Sequence, residues 1–204
     1  MNRIRYTAGL ISLFAMGALL RADVPAAPVP NVKDFFYVYA DKSRHEINHY
    51  APSGWMGDTG DLKFEEVNDP SKAGSSMEKI IYTAKGSKGA GWAGVYWQNP
   101  NNNWGSRAGG FNLSQFKKLT FQAKGAIGGE KISDFKMGGI QGDFGDTDTA
   151  SSGPVELTKD WKTYTIDLTG KDLSRIIGGF CFSANRDDNP TGFTMYLNDI
   201  RYEP

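Results

Sequence analysis

Leu119-Thr120-Phe121-Gln122-Ala123 alternates apolar and polar residues without a break, which turns one set of side chains toward a core and the other toward water. The rest of the chain repeats that pattern. Upstream, Phe35-Phe36-Tyr37-Val38-Tyr39 is rich in strand formers, and 62–67, 77–83 and 92–98 read as three more strands. Downstream, 135–141, 161–168, 176–183 and 193–202 supply four. Glycine-rich or Asp/Asn-rich turns at 125–129, 142–153 and 185–192 separate them. Residues 41–61 hold two histidines, Pro52, Gly54, Gly57 and Gly60, and read as a loop. Only 113–117 and 171–175 suggest short helical turns. Eight or more short strands without a long helix predict an all-β fold, an antiparallel β-sandwich of jelly-roll type.

Composition agrees. With 204 residues the chain suits one sizeable domain, and 25 glycines with 13% aromatics favour many tight turns over helices. Formal charge is zero and no basic stripe is present, which excludes nucleic acid as an expected partner. The single cysteine, Cys181, rules out an intramolecular disulfide. Arg3 and Arg5 precede an apolar run at 7–20, too short for a comfortable membrane span and right for a secretory signal, with Ala22 or Ala26 at the cleavage point. We therefore expect a signal over 1–22, a Pro/Ala-rich flexible leader over 23–33 and one domain over 34–204. The product is expected to be secreted or periplasmic, monomeric and without a membrane span.

The stretch 91–105, GWAGVYWQNPNNNWG, packs three tryptophans and a tyrosine among glycines and amides, with no charge. Flat rings cover the C–H face of a pyranose, and amides match its hydroxyls, so a polysaccharide or oligosaccharide is the partner expected. The competing reading is a strand whose rings fill a core. Strand parity separates the rings. Val95 is a core-type residue, so Trp97 belongs inside, while Trp92, Tyr96 and Gln98 point outward. Gln122 and Lys124 occupy the wet side of their own strand. Trp104 and Trp55 lie in loops that rim a cleft, and Arg186 at a strand end offers a guanidinium to sugar hydroxyls.

Three segments carry a family resemblance. Phe116-Lys117-Lys118-Leu119-Thr120-Phe121-Gln122-Ala123-Lys124-Gly125 resembles the turn-then-strand entry of galactose-binding-like jelly rolls. Trp161-Lys162-Thr163-Tyr164-Thr165-Ile166-Asp167-Leu168 resembles their penultimate region, and Thr194-Met195-Tyr196-Leu197-Asn198-Asp199-Ile200-Arg201-Tyr202 their closing strand. The pattern, over roughly 34–203, is similar to carbohydrate-binding modules of families 4, 11 and 22 and to the complex I intermediate-associated protein sandwich. The resemblance implies non-catalytic glycan binding, often with a structural calcium that pins the first strand region to the last. Asp199 shares the parity of Phe193, Met195 and Leu197, so it is expected on the buried face, where a carboxylate must be paired or coordinated. Asp41, Asp58 and Asp61 are the nearest early co-ligands. Backbone hydrogen bonds, or a salt bridge to Lys42 or Arg44, are the competing roles for Asp199.

Catalytic patterns are weaker. His45 and His49 have the spacing of a helical metal pair but sit where no helix is expected. Glu65-Glu66 and Asp187-Asp188 are adjacent, so on a strand each pair points to opposite faces. Asp143, Asp146 and Asp148 lack the terminal Glu of an EF-hand loop. Cys181 sits between Phe180 and Phe182, as a packing thiol would. The reading is therefore a non-enzymatic binding domain, with a small glycan hydrolase or lyase and a protein-interaction domain as the alternatives.

Overall fold

A computed structural model describes residues 35–70 and 74–204; the signal and leader readings lie outside them. The strands are β1 (Phe36–Tyr39), β2 (Ala51–Gly57), β3 (Leu62–Asn68), β4 (Ser76–Tyr82), β5 (Trp92–Gln98), β6 (Lys118–Gly125), β7 (Lys131–Ile132), β8 (Asp134–Gly138), β9 (Thr149–Ser151), β10 (Val155–Glu156), β11 (Lys162–Asp167), β12 (Gly178–Asn185) and β13 (Phe193–Glu203). The helical pieces among the described residues are two 3-10 segments, Lys42–Ile47 and Thr59–Asp61.

Two antiparallel sheets face each other. The first runs β11-β6-β13-β4-β3 with β1 beside β13; the second runs β2-β5-β12-β8-β9, and β7 and β10 form a short ribbon. The alternation of β6 sends Leu119, Phe121 and Ala123 inward against the second sheet. Phe121 meets Phe135 at 4.7 Å and Phe180 at 5.1 Å between ring centroids. Trp97 sits beside them, 5.3 Å from Phe180 and 5.7 Å from Phe64. At the other end Phe36, Phe116 and Tyr202 close the sandwich. Each such ring, removed from water, contributes roughly 1.5–3 kcal/mol.

Three features depart from expectation. β2 lies inside the segment read as a loop. Pro52 and the glycines suit it to a sheet edge, and a register shift falls between Pro52 and Gly54. Residues 113–117 hold a turn at Ser114 and Gln115, and 171–175 are irregular after a turn at Thr169 and Gly170, with no helix in either. The last concerns β13, whose pairing with β6 shifts between Asn198 and Arg201 while Asp199 takes a positive φ of 51°. That bulge reverses the parity: Ile200, not Asp199, fills the inward position.

Candidate functional site

The parity of β5 holds. Trp97 is 1% exposed in the core, and Trp92 stands on the opposite, outer face of the second sheet with 39% of its surface exposed. Tyr96 points the same way as Trp92 but is only 3% exposed, a correction to its expected role as an open ring. The cause is cover that strand parity cannot reveal. Ile140, Ile177 and Cys181 pack with Tyr96 as a second small cluster, and its hydroxyl donates to the Gly138 carbonyl at 2.9 Å. Trp104, 43% exposed, rests edge-on against the Tyr96 ring at 6.0 Å. Tyr96 is thus the footing of Trp104.

Between the two exposed tryptophans lie Gly94 and the Met56 side chain, whose Cε would stand 3.1 Å from a Cβ at Gly94. Gly94 lies two residues from Trp92 and two from Tyr96. A Cβ there would stand 2.7 Å from the Phe182 carbonyl oxygen and 3.2 Å from the Ser183 Cβ. Trp92 and Tyr96 are four residues apart, roughly 13 Å along the strand. Ser183, Asp134 and Lys136, on the outward parity of β12 and β8, supply polar groups beside this stretch. Lys136 holds its Nζ 5.3 Å from the Tyr96 ring centroid. These polar residues were missed from sequence, although Lys136 between inward Phe135 and Met137 carried the signal.

The amides expected to meet a ligand instead build the loop that presents Trp104. Gln98 is fully buried: it accepts from Ser53 Oγ at 3.0 Å and donates to the Asn103 carbonyl at 3.0 Å. Asn103 Oδ1 accepts the Gly105 N–H at 3.2 Å, and its Nδ2 donates to the Arg107 carbonyl at 2.8 Å. Buried amides with their bonds satisfied internally hold shape and leave little for a sugar.

Trp92 has its own support. Asp58 is buried and accepts the N–H groups of Lys88, Ala90 and Gly91 at 2.7, 3.0 and 2.7 Å. The Ala90 bond leads the others in holding the Asp58 carboxyl below its usual range. Asp61 accepts from Gly86 and Ser87 at 2.7 and 3.2 Å. Together they fix the 85–91 turn from which Trp92 emerges. Asp41 pairs with Arg44 at 3.2 Å and accepts from Ser75 at 3.3 Å; Asp199 pairs with Arg201. Of the four carboxylates expected as calcium ligands, Asp58 and Asp61 share the 85–91 turn while Asp41 and Asp199 pair with separate arginines; among the described residues no group of three or more His, Cys, Asp or Glu side chains is placed to hold a metal.

The remaining candidates scatter. Trp55 lies on β2, not in a loop; it leans over the open edge between the sheets, 5.1 Å from Phe64, with 39% of its surface exposed. Gln122 and Lys124 belong to β6 in the first sheet, so their wet side is the opposite surface of the molecule. Arg186 is exposed near the 85–91 turn, and its N–H donates to Gly91 at 2.9 Å. His49 stacks on Phe36 at 3.9 Å, and its Nδ1 lies 2.9 Å from the Tyr37 carbonyl oxygen, while His45 is exposed beside Glu46. The Cys181 thiol is buried, and desolvation pushes its pKa far up. Asp146 receives the N–H groups of Ile140, Ile177 and Gly178, an internal brace in place of a calcium loop.

The site is thus two exposed tryptophans, Trp92 and Trp104, over the outer face of one sheet of an antiparallel β-sandwich. No family model matches the chain, and no curated protein is significantly similar to it in sequence. Solved structures give the fold. One family 30 carbohydrate-binding module matches with a TM-score of 0.54 and 19% identity, over 83% of this chain and 87% of that one. The family 30 module of a cellulosomal cellulase of Clostridium thermocellum matches with a TM-score of 0.53 and 18% identity, over 82% and 96%. An exo-β-agarase matches at 0.50 and 15% identity, over 77% of this chain and 24% of the enzyme. The chain thus has the antiparallel β-sandwich fold of these solved structures, as the strand pattern of its sequence predicts.

Proposed function

We propose that this chain is an exported, non-catalytic domain that binds a polysaccharide or oligosaccharide across the outer face of the second sheet. Trp92 and Trp104 are the stacking rings, and Ser183, Asp134 and Lys136 are the polar contacts. One observation carries the reading: two large rings stay about 40% exposed on one face, each braced by buried polar groups, with Gly94 and the Met56 side chain between them. Exposed tryptophans held rigid suit stacking, because little side-chain freedom is lost on binding. Similarity to family 30 modules supports the ligand class, and the N-terminal signal pattern supports export.

Titration against a panel of soluble glucans, mannans and galactans tests this. Trp92→Ala and Trp104→Ala should each weaken binding of the responding glycan at least tenfold, since truncating a central ring at a binding hot spot costs about 2 kcal/mol or more. Unchanged affinity in both variants would overturn the assignment of the face.

A further inference from the structure

The other outer surface, that of the first sheet, carries a second array that the Trp92 face leaves unused. Tyr196 on β13 is paired with Lys124 of β6 on one side and Lys79 of β4 on the other. Trp161, just before β11, completes the row on the far side of Lys124. The Lys124 Nζ is held 5.1 Å from the centroids of both the Trp161 and Tyr196 rings. Among the described residues it makes no ion pair. A neighbouring row sets Thr163, Gln122 and Asn198 side by side.

Toward the loop end this surface runs into a groove of about 500 Å³, within the range of small-ligand sites. Ile81, Thr194, Ala126, Ile127 and Lys85 line it, and Ile127 is 81% exposed. The charge of this half of the face is positive. Lys63, Lys79, Lys85 and Lys124 outnumber Glu65, which already bridges Lys63 and Lys79, and Glu130, a buried carboxylate in the groove lining that accepts the Ile127 N–H at 2.9 Å.

We propose that this surface is a second glycan site, one that takes a sugar chain bearing anionic groups, carboxylate or sulfate. A cation caged between two rings is pre-positioned for an anion, the rings offer apolar surface beside it, and the Gln122 and Asn198 amides meet hydroxyls. The two sites lie on opposite outer faces, so one molecule bridges two chains. The site shares its ligand class with the Trp92 face but none of its residues, so either can fail alone.

Native gels containing polygalacturonate, a sulfated galactan or hydroxyethylcellulose provide the test, with thermal melts as the folding control. Lys124→Gln should weaken retardation by at least one anionic polymer fivefold or more at low salt, with the difference shrinking as salt is added. The polymer that responds names the anion. Lys117→Gln, which removes the same charge elsewhere, should change nothing, and Trp92→Ala should spare anionic binding. Thr163→Asp should reproduce the loss if Lys124→Gln folds poorly. The inference is overturned if neither anionic polymer retards the protein, if Lys124→Gln and Thr163→Asp bind both as the parent does, or if Lys117→Gln loses as much. Failure of every neutral glycan of the titration panel to bind counts against the Trp92 face and leaves this site standing.

Discussion

The two faces of β5 make the sharpest contrast in the molecule. Inward, Ala93, Val95 and Trp97 are closed over by the opposite sheet, and Trp97 touches Phe64, Phe180 and Phe182. Outward, no second sheet lies over Trp92, Gly94 and Tyr96; Ile140, Ile177, Cys181 and Met56 cover Tyr96, and Trp92 stays open. The residue types are alike, while the surroundings are not. An aromatic ring is core or contact surface according to what covers it, and cover comes from segments distant in sequence.

Trp97→Ala probes the covered side and should show the largest effect. Removing a fully buried indole leaves a cavity between sheets, with an expected loss of about 3–5 kcal/mol measured by denaturant unfolding. Loss below 1 kcal/mol would mean that the inner face tolerates voids as the outer one does. Tyr96→Ala comes next and tests whether the outer face has a core of its own. It deletes the ring beneath Trp104 and strands the Gly138 carbonyl, so a loss of about 2–4 kcal/mol is expected, with weaker glycan binding through a displaced Trp104. Tyr96→Phe should keep binding and lose only about 1 kcal/mol.

A third experiment asks whether every inward position is dry. Glu78 points inward at the β3–β4 edge opposite Glu66, and burial, followed by the Glu66 charge, pushes its carboxyl up to about 7 from 4.5. The folded state therefore holds this proton more tightly than the unfolded one. The resulting stability is fully present below about pH 4.5 and is lost as pH rises through about 7. The expected loss across that window is about 2 kcal/mol, allowing for the partial exposure of the edge. Glu78→Gln should flatten the profile, and an unaltered slope in that variant would remove Glu78 as its source.

Most of the sandwich was legible because alternation is local. β3, β5, β6 and β13 follow from their own residues, and so does the inward position of Trp97. What escaped depends on partners. Parity gave Tyr96 its direction but not the Ile140 and Ile177 cover that buries it. Gln122 and Lys124 read as wet, yet nothing local says that β6 lies in the sheet opposite β5. Asp199 was misplaced by a single bulge, invisible in a sequence where Asn198-Asp199 looks like ordinary alternation. Pro52, Gly54 and Gly57 concealed β2 because an edge strand tolerates residues that a central strand rejects.

The smallest expected effect belongs to calcium. Asp58 and Asp61 spend their oxygens on the N–H groups of the 85–91 turn, while Asp41 and Asp199 face Arg44 and Arg201. A ligand that binds only the folded state raises stability by mass action, so a resident calcium at these carboxylates would betray itself when chelated. Chelation should leave the melting temperature within about a degree, equivalent to a few tenths of a kcal/mol for a domain of this size. Asp58→Asn gives the complementary measurement. By weakening the charge-assisted bonds that hold the turn, it should lower both stability and Trp92-dependent glycan affinity, and added calcium should restore neither. A melting temperature that falls on chelation and recovers with calcium would place a metal at these carboxylates after all. The outer face would then owe the pose of Trp92 to an ion and not to the backbone of its own turn.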